Sequence, residues 1–212
     1  MNHLPEFKDN HFDLALIDPP YGLGVAEKFG KQSGEQYGRA AAPKSTYTIK
    51  QWDKKPPDNH YFRNLLRVSK NQIVWGANHF ISQLPHDSPC WIVWDKDNGD
   101  NHFADCELAW TSFNSAVRKF DYTWNGMIQG DMKNKEIRIH PTQKPVVLYR
   151  WLLQNYAKPG DLILDSHVGS GSSLVACIME GFDYIGYEID KEYYDGAMKR
   201  IKAERQKIDL FK

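Results

Sequence analysis

Residues 161–190 contain, one after another, several features that restrict what this chain can fold into. The apolar run DLILD is followed by the turn SHVGSGS, a helical pattern, a second apolar run and the acidic residue Glu188. Gly169 and Gly171 permit a tight turn and close approach of the backbone to a ligand. Glu188 follows Asp165 by 23 positions, near the offset of about 20 at which a carboxylate can bind ribose hydroxyls. A glycine turn alone would suit any strand-to-helix connection, but the whole order predicts a site for a cofactor that contains a nucleoside.

Short apolar runs separated by helical patterns extend this organisation along the chain. The runs that predict buried strands cover residues 12–17, 72–76, 90–94, 106–110, 161–165 and 184–187. The helical patterns cover residues 146–156, 172–180 and 191–207. Strands that alternate with helices predict an α/β fold with a largely parallel sheet.

Residues 22–58 do not follow this pattern. The segment is rich in Gly, Lys, Ser and Pro and has little periodicity. A structureless stretch of this length inside a compact domain is usually functional or disordered. We expect a single domain over residues 1–212, with a long mobile loop at about 22–58 and no large separate domain for recognising a target.

The charge of the chain is balanced overall but uneven along its length. The 27 basic and 27 acidic residues give a net charge of zero, which argues mildly against binding nucleic acid with the whole surface. Residues 28–55 contain seven Lys or Arg against two acidic residues, and residues 118–144 contain six against three. Ordinary solvated surface would explain either segment alone, but each of them flanks a motif described below.

Cysteine usage and hydropathy indicate the compartment. Cys90, Cys106 and Cys177 are widely spaced and predict neither a disulfide framework nor a metal-binding pair. The sequence has no run of about 18 apolar residues that would predict a membrane helix, and no apolar signal-peptide core near its first residue. We therefore expect a cytoplasmic protein with no membrane or metal partner.

The motif Asp18-Pro19-Pro20-Tyr21 directly follows the apolar run FDLALI. The run would deliver Asp18 to the carboxyl edge of a parallel sheet, where ligands bind in such folds. The prolines fix the backbone and remove two N–H donors, so the nearby carbonyls and the carboxylate can accept hydrogen bonds from an amino group. Tyr21 offers a flat surface for stacking a planar base. The alternative is a proline-stiffened turn with a capping Asp.

A second polar motif, His140-Pro141-Thr142-Gln143-Lys144-Pro145, precedes the helical pattern VVLYRWLLQNY. A polar and basic segment at a helix N-terminus can bind a carboxylate or phosphate through free N–H groups. An ordinary helix start with prolines would look similar.

Taken together, these motifs resemble those of the β-class DNA amino-methyltransferases, which methylate N6 of adenine or N4 of cytosine. The string at 18–21 resembles the catalytic motif of that family, and the string at 140–145 resembles the segment before its cofactor-binding half. The turn at 165–172 is similar to the family's loop Asp-Pro-Phe-x-Gly-Ser-Gly-Thr. The catalytic motif comes first and the cofactor loop late, which is the order of the β class. The resemblance is close over roughly residues 12–24 and 138–200.

The resemblance implies a circularly permuted, Rossmann-like, S-adenosylmethionine-dependent methyltransferase sheet with helices on both faces. It further implies site-specific methyl transfer to N6 of a flipped-out adenine in DNA, in the cytoplasm of a prokaryotic cell or a phage-infected host. The implied catalytic residues are Asp18, Pro19, Pro20 and Tyr21. The implied cofactor-binding residues are Asp18, His140, Thr142, Lys144, Asp165, His167, Gly169, Ser170, Gly171, Ser172 and Glu188.

DNA is the expected partner, and the two basic segments are its candidate binding surfaces. The candidate residues are Lys44, Tyr47, Lys50, Trp52, Lys54, Lys55, Arg118 and Lys133. The lysines would meet phosphates, and the aromatic rings would stack on bases or simply pack within the loop. A small enzyme of this class could also cover its DNA as a homodimer.

The sequence leaves other functions open. Cytosine-N4 methylation uses the same fold, although Ser usually leads the motif in cytosine enzymes and Asp leads it in adenine enzymes. Protein glutamine methylation has a related motif, but those enzymes place the cofactor loop first. A DNA-binding or regulatory subunit with a degenerate site is the non-enzymatic alternative. Ser166, His167 and Ser172 depart from the family's usual Pro, Phe and Thr, and His167 keeps a flat ring at the position of the Phe.

Overall fold

The most apolar runs of the chain form the centre of a sheet. The computed structural model describes residues 3–24, 50, 52–85, 87–99, 104–125 and 128–210. FDLALI forms β1 (Phe12–Ile17), whose four last residues are fully or almost fully buried. It pairs in parallel with β2 (Ser69–Trp75) on one side and with β8 (Leu162–Asp165) on the other. A strand that is flanked on both edges and covered on both faces reads as a continuous apolar run.

The remaining elements of the described residues follow in chain order. The strands are β3 (Trp91–Asp95), β4 (Cys106–Thr111), β5 (Arg118–Asp121), β6 (Trp124–Asn125), β7 (Ile128–Gln129) and β9 (Asp183–Gly186). The helices are α1 (Asn59–Val68), α2 (Val146–Tyr156), α3 (Ser172–Glu180) and α4 (Lys191–Leu210). Short 3-10 turns lie at Leu4–Glu6, Ala77–His79 and Ile81–Gln83.

Within the described part of the chain, seven strands form one sheet in the order β5-β3-β4-β2-β1-β8-β9. β4 is antiparallel to its neighbours β2 and β3, whereas the other pairs are parallel. β6 and β7 form a separate two-stranded ribbon. The predicted α/β fold with a mainly parallel sheet is confirmed, and the reversed direction of β4 is a feature that the apolar pattern did not reveal.

The strand order reverses between β1 and β8, because the chain builds outward from β1 on one side before it returns to add β8 on the other. Such a reversal opens a crevice at the carboxyl ends of the strands, where ligands bind in open α/β sheets. The early strand β1 thus lies next to the late strand β8, which is the permuted order expected from the motifs.

Helices cover both faces of the sheet. One core includes Leu148 and Leu152 of α2 and Leu174 of α3, packed with Leu14 and Leu16 of β1. A second core, on the other face, packs α1 and the N-terminal 3-10 turn against β1 and β2. Alternating residues of β1 therefore serve opposite cores, as the two-residue period of a strand requires.

Several element bounds agree with the sequence patterns, and others were not predicted. β1, α2 and α3 have the predicted bounds, while α4 extends three residues beyond the prediction to Leu210. α1, β5, β6 and β7 were not predicted. Among the described residues no helix has both the length and the apolar character needed to span a membrane. Most of the segment expected to be a mobile loop, residues 25–49 and 51, lies outside the described residues.

Candidate active site

A cavity of about 1050 Å³ opens at the carboxyl ends of the parallel strands, beside the reversal between β1 and β8. Its walls come from the ends of β1, β2, β8 and β9 and from the segment that precedes α2. The predicted site residues that line it are Asp18, Pro19, Pro20, Tyr21, Trp52, His140, Thr142, Lys144, His167, Gly169, Ser170, Ser172 and Glu188. The structure therefore brings the three sequence motifs together around one space.

Asp18 lies at the centre of a charged cluster. Its Oδ1 accepts hydrogen bonds from Lys144 Nζ at 2.6 Å and from the Tyr21 hydroxyl at 2.8 Å. Lys144 Nζ also lies 2.8 Å from Oε2 of Glu107, and the other oxygen of Glu107 lies 2.6 Å from Lys96 Nζ. Lys144 is only 3% exposed. Two carboxylates and two ammonium groups thus balance each other at the wall of the cavity.

Burial and charge act in opposite directions on this cluster. Burial and the negative charge of Glu107 raise the pKa of Asp18, while the Lys144 ammonium lowers it. Burial would raise the pKa of Glu107 as well, but Lys144 and Lys96 hold it at about 2. Burial and the neighbouring carboxylates raise the pKa of Tyr21 well above its ordinary value, so its hydroxyl remains a donor. The charge state of Asp18 therefore depends on Lys144.

The ring of Tyr21 is held in place by its neighbours. It stacks on the His79 ring with centroids 5.1 Å apart and planes inclined by 18°. Gly76, at the end of β2, lies against this ring, and any side chain at position 76 would collide with Tyr21. Gly76 also has a φ of +67°, which favours glycine. The half-buried ring of Tyr21 therefore has a fixed orientation at the cavity.

The glycine turn after β8 faces the same cavity. Gly169 has a φ of +51°, a conformation that side chains rarely adopt. Its N–H donates to Oε2 of Glu188 at 2.7 Å, and Oε1 of Glu188 accepts the N–H of Asp190. A carboxylate has further lone pairs beyond these two bonds. Glu188 is thus fixed by the backbone while it still lines the cavity, which suits a group that accepts hydrogen bonds from ribose hydroxyls.

Asp165 and Gly171 do not line the cavity. The Asp165 carboxyl accepts hydrogen bonds from the Ser173 hydroxyl and the His167 N–H, and burial raises its pKa to about 7. Gly171 has a φ of +80° and lies against Ala197 of α4, where a Cβ would come within 3.0 Å of the Ala197 side chain. These two residues shape the turn and its packing, which is a different placement from the direct cofactor contact that the motif implied.

Two buried imidazoles, of His140 and His167, border the cavity. Burial lowers the pKa of each to about 3, so both rings are neutral near pH 7. His140 packs edge-on against Tyr193 at 4.2 Å and lies 4.9 Å from the Trp52 ring, while its Nδ1 accepts the N–H of Thr142. His167 lies 5.3 Å from the Tyr61 ring. Near pH 7 each ring therefore presents a neutral aromatic surface to the cavity.

The candidate DNA-binding residues are scattered. Lys44 and Tyr47 lie outside the described residues. Lys54, Lys55 and Lys133 are exposed.

Lys50 is held by carboxylates, whereas Arg118 is exposed and lies away from the cavity. Lys50 Nζ lies 2.9 Å from both Asp190 and Glu192, next to the turn that carries Glu188. Arg118 begins β5 at the amino-terminal edge of the parallel strands and does not line the cavity.

Sequence reasoning missed Glu107, Lys96 and Tyr61. Glu107 is the second residue of the antiparallel strand β4, and only that direction carries it to the same edge as Asp18. Lys96 follows β3 directly, as Asp18 follows β1, so its position after an apolar run was an available signal. The Tyr61 hydroxyl lies 2.6 Å from Ser166 Oγ, so the Ser at that position of the turn has a tyrosine partner.

Fold and site together define an α/β protein with one large cavity at the carboxyl ends of its parallel strands. The Glu188 carboxylate, which can accept hydrogen bonds, lies in one part of the cavity, and the motif at residues 18–21, which suits an amino group, lies in the other. A cavity of this volume is at the upper end of the range for small-molecule sites and is large enough for two adjacent ligands.

The model of the N6/N4 family of DNA methylases matches residues 83–199, more than half of the chain. The chain belongs to this family of DNA amino-methyltransferases, and the resemblance carried by the three motifs is confirmed.

Two proteins with similar sequences are named as a methyltransferase and a methylase. The Type II methyltransferase M2.MboI of Moraxella bovis is 26% identical over 239 aligned positions, which cover 94% of this chain and 84% of that protein. YubD of Escherichia coli (strain K12), named as a methylase, is 38% identical over 66 residues, which cover 31% of this chain and 29% of that protein. The match to YubD is thus confined to a part of both proteins.

Solved structures share the fold. The M1.HpyAVI–SAM complex is similar with a TM-score of 0.54 and 18% identity, covering 94% of this chain and 91% of that one. The cytosine-N4-specific PvuII DNA methyltransferase is similar with a TM-score of 0.55 and 14% identity, covering 93% and 82%. At these identities the likeness concerns the fold.

Proposed function

We propose that this protein transfers a methyl group from S-adenosylmethionine to the exocyclic amino group of a base in DNA, with N6 of adenine as the target. The observation that carries the proposal is the meeting of Asp18 and Glu188 in one cavity. Asp18 ends β1, and Glu188 follows β9 and holds the glycine turn after β8. We further propose that residues 1–212 act as one catalytic domain, in the cytoplasm and without a metal.

The residues around the glycine turn fit S-adenosylmethionine. The Glu188 carboxylate would accept the ribose hydroxyls, and the exposed Ile189 beside it offers an apolar surface for the adenine. Gly169 leaves room for close approach of the ligand, and the neutral rings of His140 and His167 supply flat walls. Bound there, the cofactor would supply an electrophilic methyl group on a sulfonium centre.

Asp18 and Tyr21 would prepare the target amino group. The amino nitrogen of a base shares its lone pair with the ring, and hydrogen bonds from its N–H groups to Asp18 and the Pro19 carbonyl would favour a more nucleophilic geometry. Oδ1 of Asp18 already accepts from Lys144 and Tyr21, which leaves Oδ2 for the base. Fixed acceptors of this kind contribute through positioning and preorganised electrostatics.

Asp18 would not deprotonate the neutral amine, since a carboxylate is far too weak a base for that step. The nitrogen becomes acidic only after it gains the methyl group, and its proton then leaves towards the surrounding acceptors. The target atom is hidden inside a duplex, so the base must rotate out of the stack at a cost of a few kcal/mol. Stacking in a pocket beside Tyr21 would offset part of that cost, about 1–3 kcal/mol.

Cytosine-N4 methylation is the second candidate. The fold likeness to the cytosine-N4-specific PvuII enzyme favours it, because the same sheet serves both reactions. The Asp at position 18 favours adenine, as it does in the family that the motif resembles.

One experiment tests activity and target base together. Mixed-sequence duplex DNA is incubated with the protein and S-adenosylmethionine labelled in the methyl group, then digested to nucleosides and separated. Label in N6-methyl-2′-deoxyadenosine supports the proposal, and label in N4-methyl-2′-deoxycytidine replaces adenine with cytosine as the target. Cofactor binding by calorimetry without any label in DNA would favour a regulatory, DNA-binding role instead.

A further inference from the structure

We infer that Lys144 is a positioning residue for Asp18. Its ammonium group fixes the carboxylate of Asp18 and keeps it ionised, and an ion pair with Glu107 holds the ammonium group in place. The inference rests on the proposed function, in which Asp18 must be an ionised acceptor. It gives Lys144 a role at the methylated base instead of the contact with the cofactor that its motif implied.

The contacts of Lys144 all point towards the catalytic motif. Its Nζ donates to Oδ1 of Asp18 at 2.6 Å and to the Tyr21 hydroxyl at 3.1 Å, and it lies 2.8 Å from Glu107. The ammonium also lies 5.5 Å from the ring centroids of Tyr21 and Trp75. Three oxygens satisfy its three N–H donors. Lys144 therefore has no N–H left for a cofactor group without losing a partner.

The segment before α2 holds Lys144 rigidly in this place. The neighbouring Gln143 accepts the Ile139 N–H through its side chain and the Trp124 indole N–H through its backbone carbonyl. Glu136 caps the start of α2 through the Val146 N–H at 2.7 Å. The lysine consequently extends from a fixed backbone into a site where its head is almost completely buried.

The charges around Asp18 explain why an ammonium is needed there. Charged and titratable groups from several elements face Asp18: Tyr21 after β1, Glu107 on β4, Lys144 before α2, Tyr149 in α2 and Asp165 at the end of β8. Lys96, which follows β3, pairs with Glu107. Among these, Lys144 is the cation in direct contact with Asp18. Without it, only the hydrogen bond from the Tyr21 hydroxyl would oppose burial and the charge of Glu107, so the pKa of Asp18 would rise and the carboxyl would be protonated over a wider pH range.

The test compares Lys144→Met, which keeps the length of the chain but removes the charge, with wild type and with Lys70→Met. Lys70, on β2, forms an ion pair with Asp13, on β1, at a distance of 2.6 Å. This pair lies at the amino-terminal ends of these strands, away from the cavity, so Lys70→Met is a control for the loss of a Lys–Asp pair. Turnover is measured on DNA across pH 5 to 9, cofactor affinity by calorimetry, and the pKa of Asp18 by carbon-13 NMR of its carboxyl.

Lys144→Met should lower kcat about 100-fold at pH 7, as expected for a misplaced catalytic group, and should move the acid limb of the pH profile to higher pH. Cofactor affinity should remain within about twofold of wild type. Adding Glu107→Gln should bring the acid limb back towards lower pH, because it removes the like charge. Lys70→Met should behave as wild type.

Other outcomes would overturn the inference. A folded Lys144→Met protein with an unchanged acid limb and an unchanged Asp18 titration would show that Lys144 does not control Asp18. A loss of cofactor affinity with unchanged kcat would return Lys144 to the cofactor. If Lys144→Met does not fold, Lys144→Gln, which removes the charge but keeps a hydrogen-bond donor, is titrated in its place. The Asp18 titration should then move to higher pH, and an unmoved titration would contradict the inference. The NMR titration tests the effect of Lys144 on Asp18 even if the wild-type protein methylates no DNA. That absence of methylation would contradict the proposed function alone.

Discussion

Asp18 combines a short backbone motif with distant partners. Its place after β1 was predictable from the sequence, because an apolar run followed by Asp-Pro-Pro-Tyr must end at the carboxyl edge of a sheet. Its pairing with Lys144 spans 126 positions and could not be predicted, since no local pattern specifies which side chain returns to a given strand end.

The first prediction concerns the charge of Asp18. Asp18→Asn keeps the size of the side chain but removes the ionised acceptor, and Asp18→Ala removes the group altogether. Either substitution should lower kcat by at least about 100-fold, the scale at which removing one preorganised hydrogen-bonding group acts. Cofactor affinity by calorimetry should stay as in wild type because Asp18 faces the amino group. Near-normal turnover of both variants would remove Asp18 from the mechanism.

The second prediction concerns Glu188 and Gly169. Glu188→Ala removes the carboxylate that accepts the Gly169 N–H, and Gly169→Val places a branched side chain at a φ of +51°. Each should weaken S-adenosylmethionine binding at least about tenfold, since a hydrogen bond to a charged group contributes about 1.5–3 kcal/mol. Calorimetry on folded variants measures this.

Asp195→Asn is the control for that comparison, because Asp195 lies on the exposed side of α4 and pairs with Lys191. Its affinity for the cofactor should equal that of wild type. Wild-type affinity in Glu188→Ala as well would refute the assignment of the late glycine turn to the cofactor.

At the scale of elements, predictability followed burial. β1, α2 and α3 are apolar on the faces they bury, and their bounds agreed with the patterns. β5 is an edge strand with mostly exposed residues, so it lacks the apolar alternation that marks a strand. α1 buries Tyr61, Phe62, Leu65 and Val68 at helical spacing after the capping residue Asp58. That signal was available, and the polar residues between them hid it.

The third prediction concerns the connection between β1 and α1. Lys54 and Lys55 are exposed there, close to Asp53, whose carboxylate accepts the Gly22 N–H beside the catalytic motif. Replacing both with Gln should weaken DNA binding and reduce the slope of log affinity against log salt by about 1.8 if both touch phosphate, at about 0.9 each. Fluorescence anisotropy at several salt concentrations measures the slope.

Arg118→Gln serves as the comparison, because Arg118 lies at the amino-terminal edge of the parallel strands, opposite the cavity. Its slope should match wild type. An unchanged slope in the double lysine variant would place the DNA elsewhere, and a reduced slope in Arg118→Gln would extend the contact surface to that edge.

At the scale of the whole molecule, the buried carboxyl of Asp165 links stability to pH. In the unfolded chain this group ionises near pH 4, whereas burial raises its pKa to about 7 in the folded protein. Between these values the folded state holds an extra proton, so this residue makes the free energy of unfolding fall as pH rises.

The fourth prediction follows from that link. Asp165→Asn can still accept the His167 N–H and donate to Ser173, and it has no charge to lose. Relative to wild type, its free energy of unfolding should therefore increase between pH 4.5 and pH 7.5, by about 3 kcal/mol. Urea unfolding at the two pH values measures the difference, and parallel pH dependences of the two proteins would contradict it.

The permuted strand order also separates the synthesis of β1 in time from that of its neighbour β8. β1 is synthesised long before its neighbour β8: Asp13, within β1, accepts the Leu162 N–H across 149 positions. At about 5–20 residues per second, a ribosome needs roughly 7–30 s to deliver that partner. During this interval β1 can pair with β2, but its other edge has no native neighbour, and unpaired edges are where nascent chains aggregate. The arrangement that places Asp18 beside the glycine turn thus leaves one edge of β1 without its native neighbour until β8 has been synthesised.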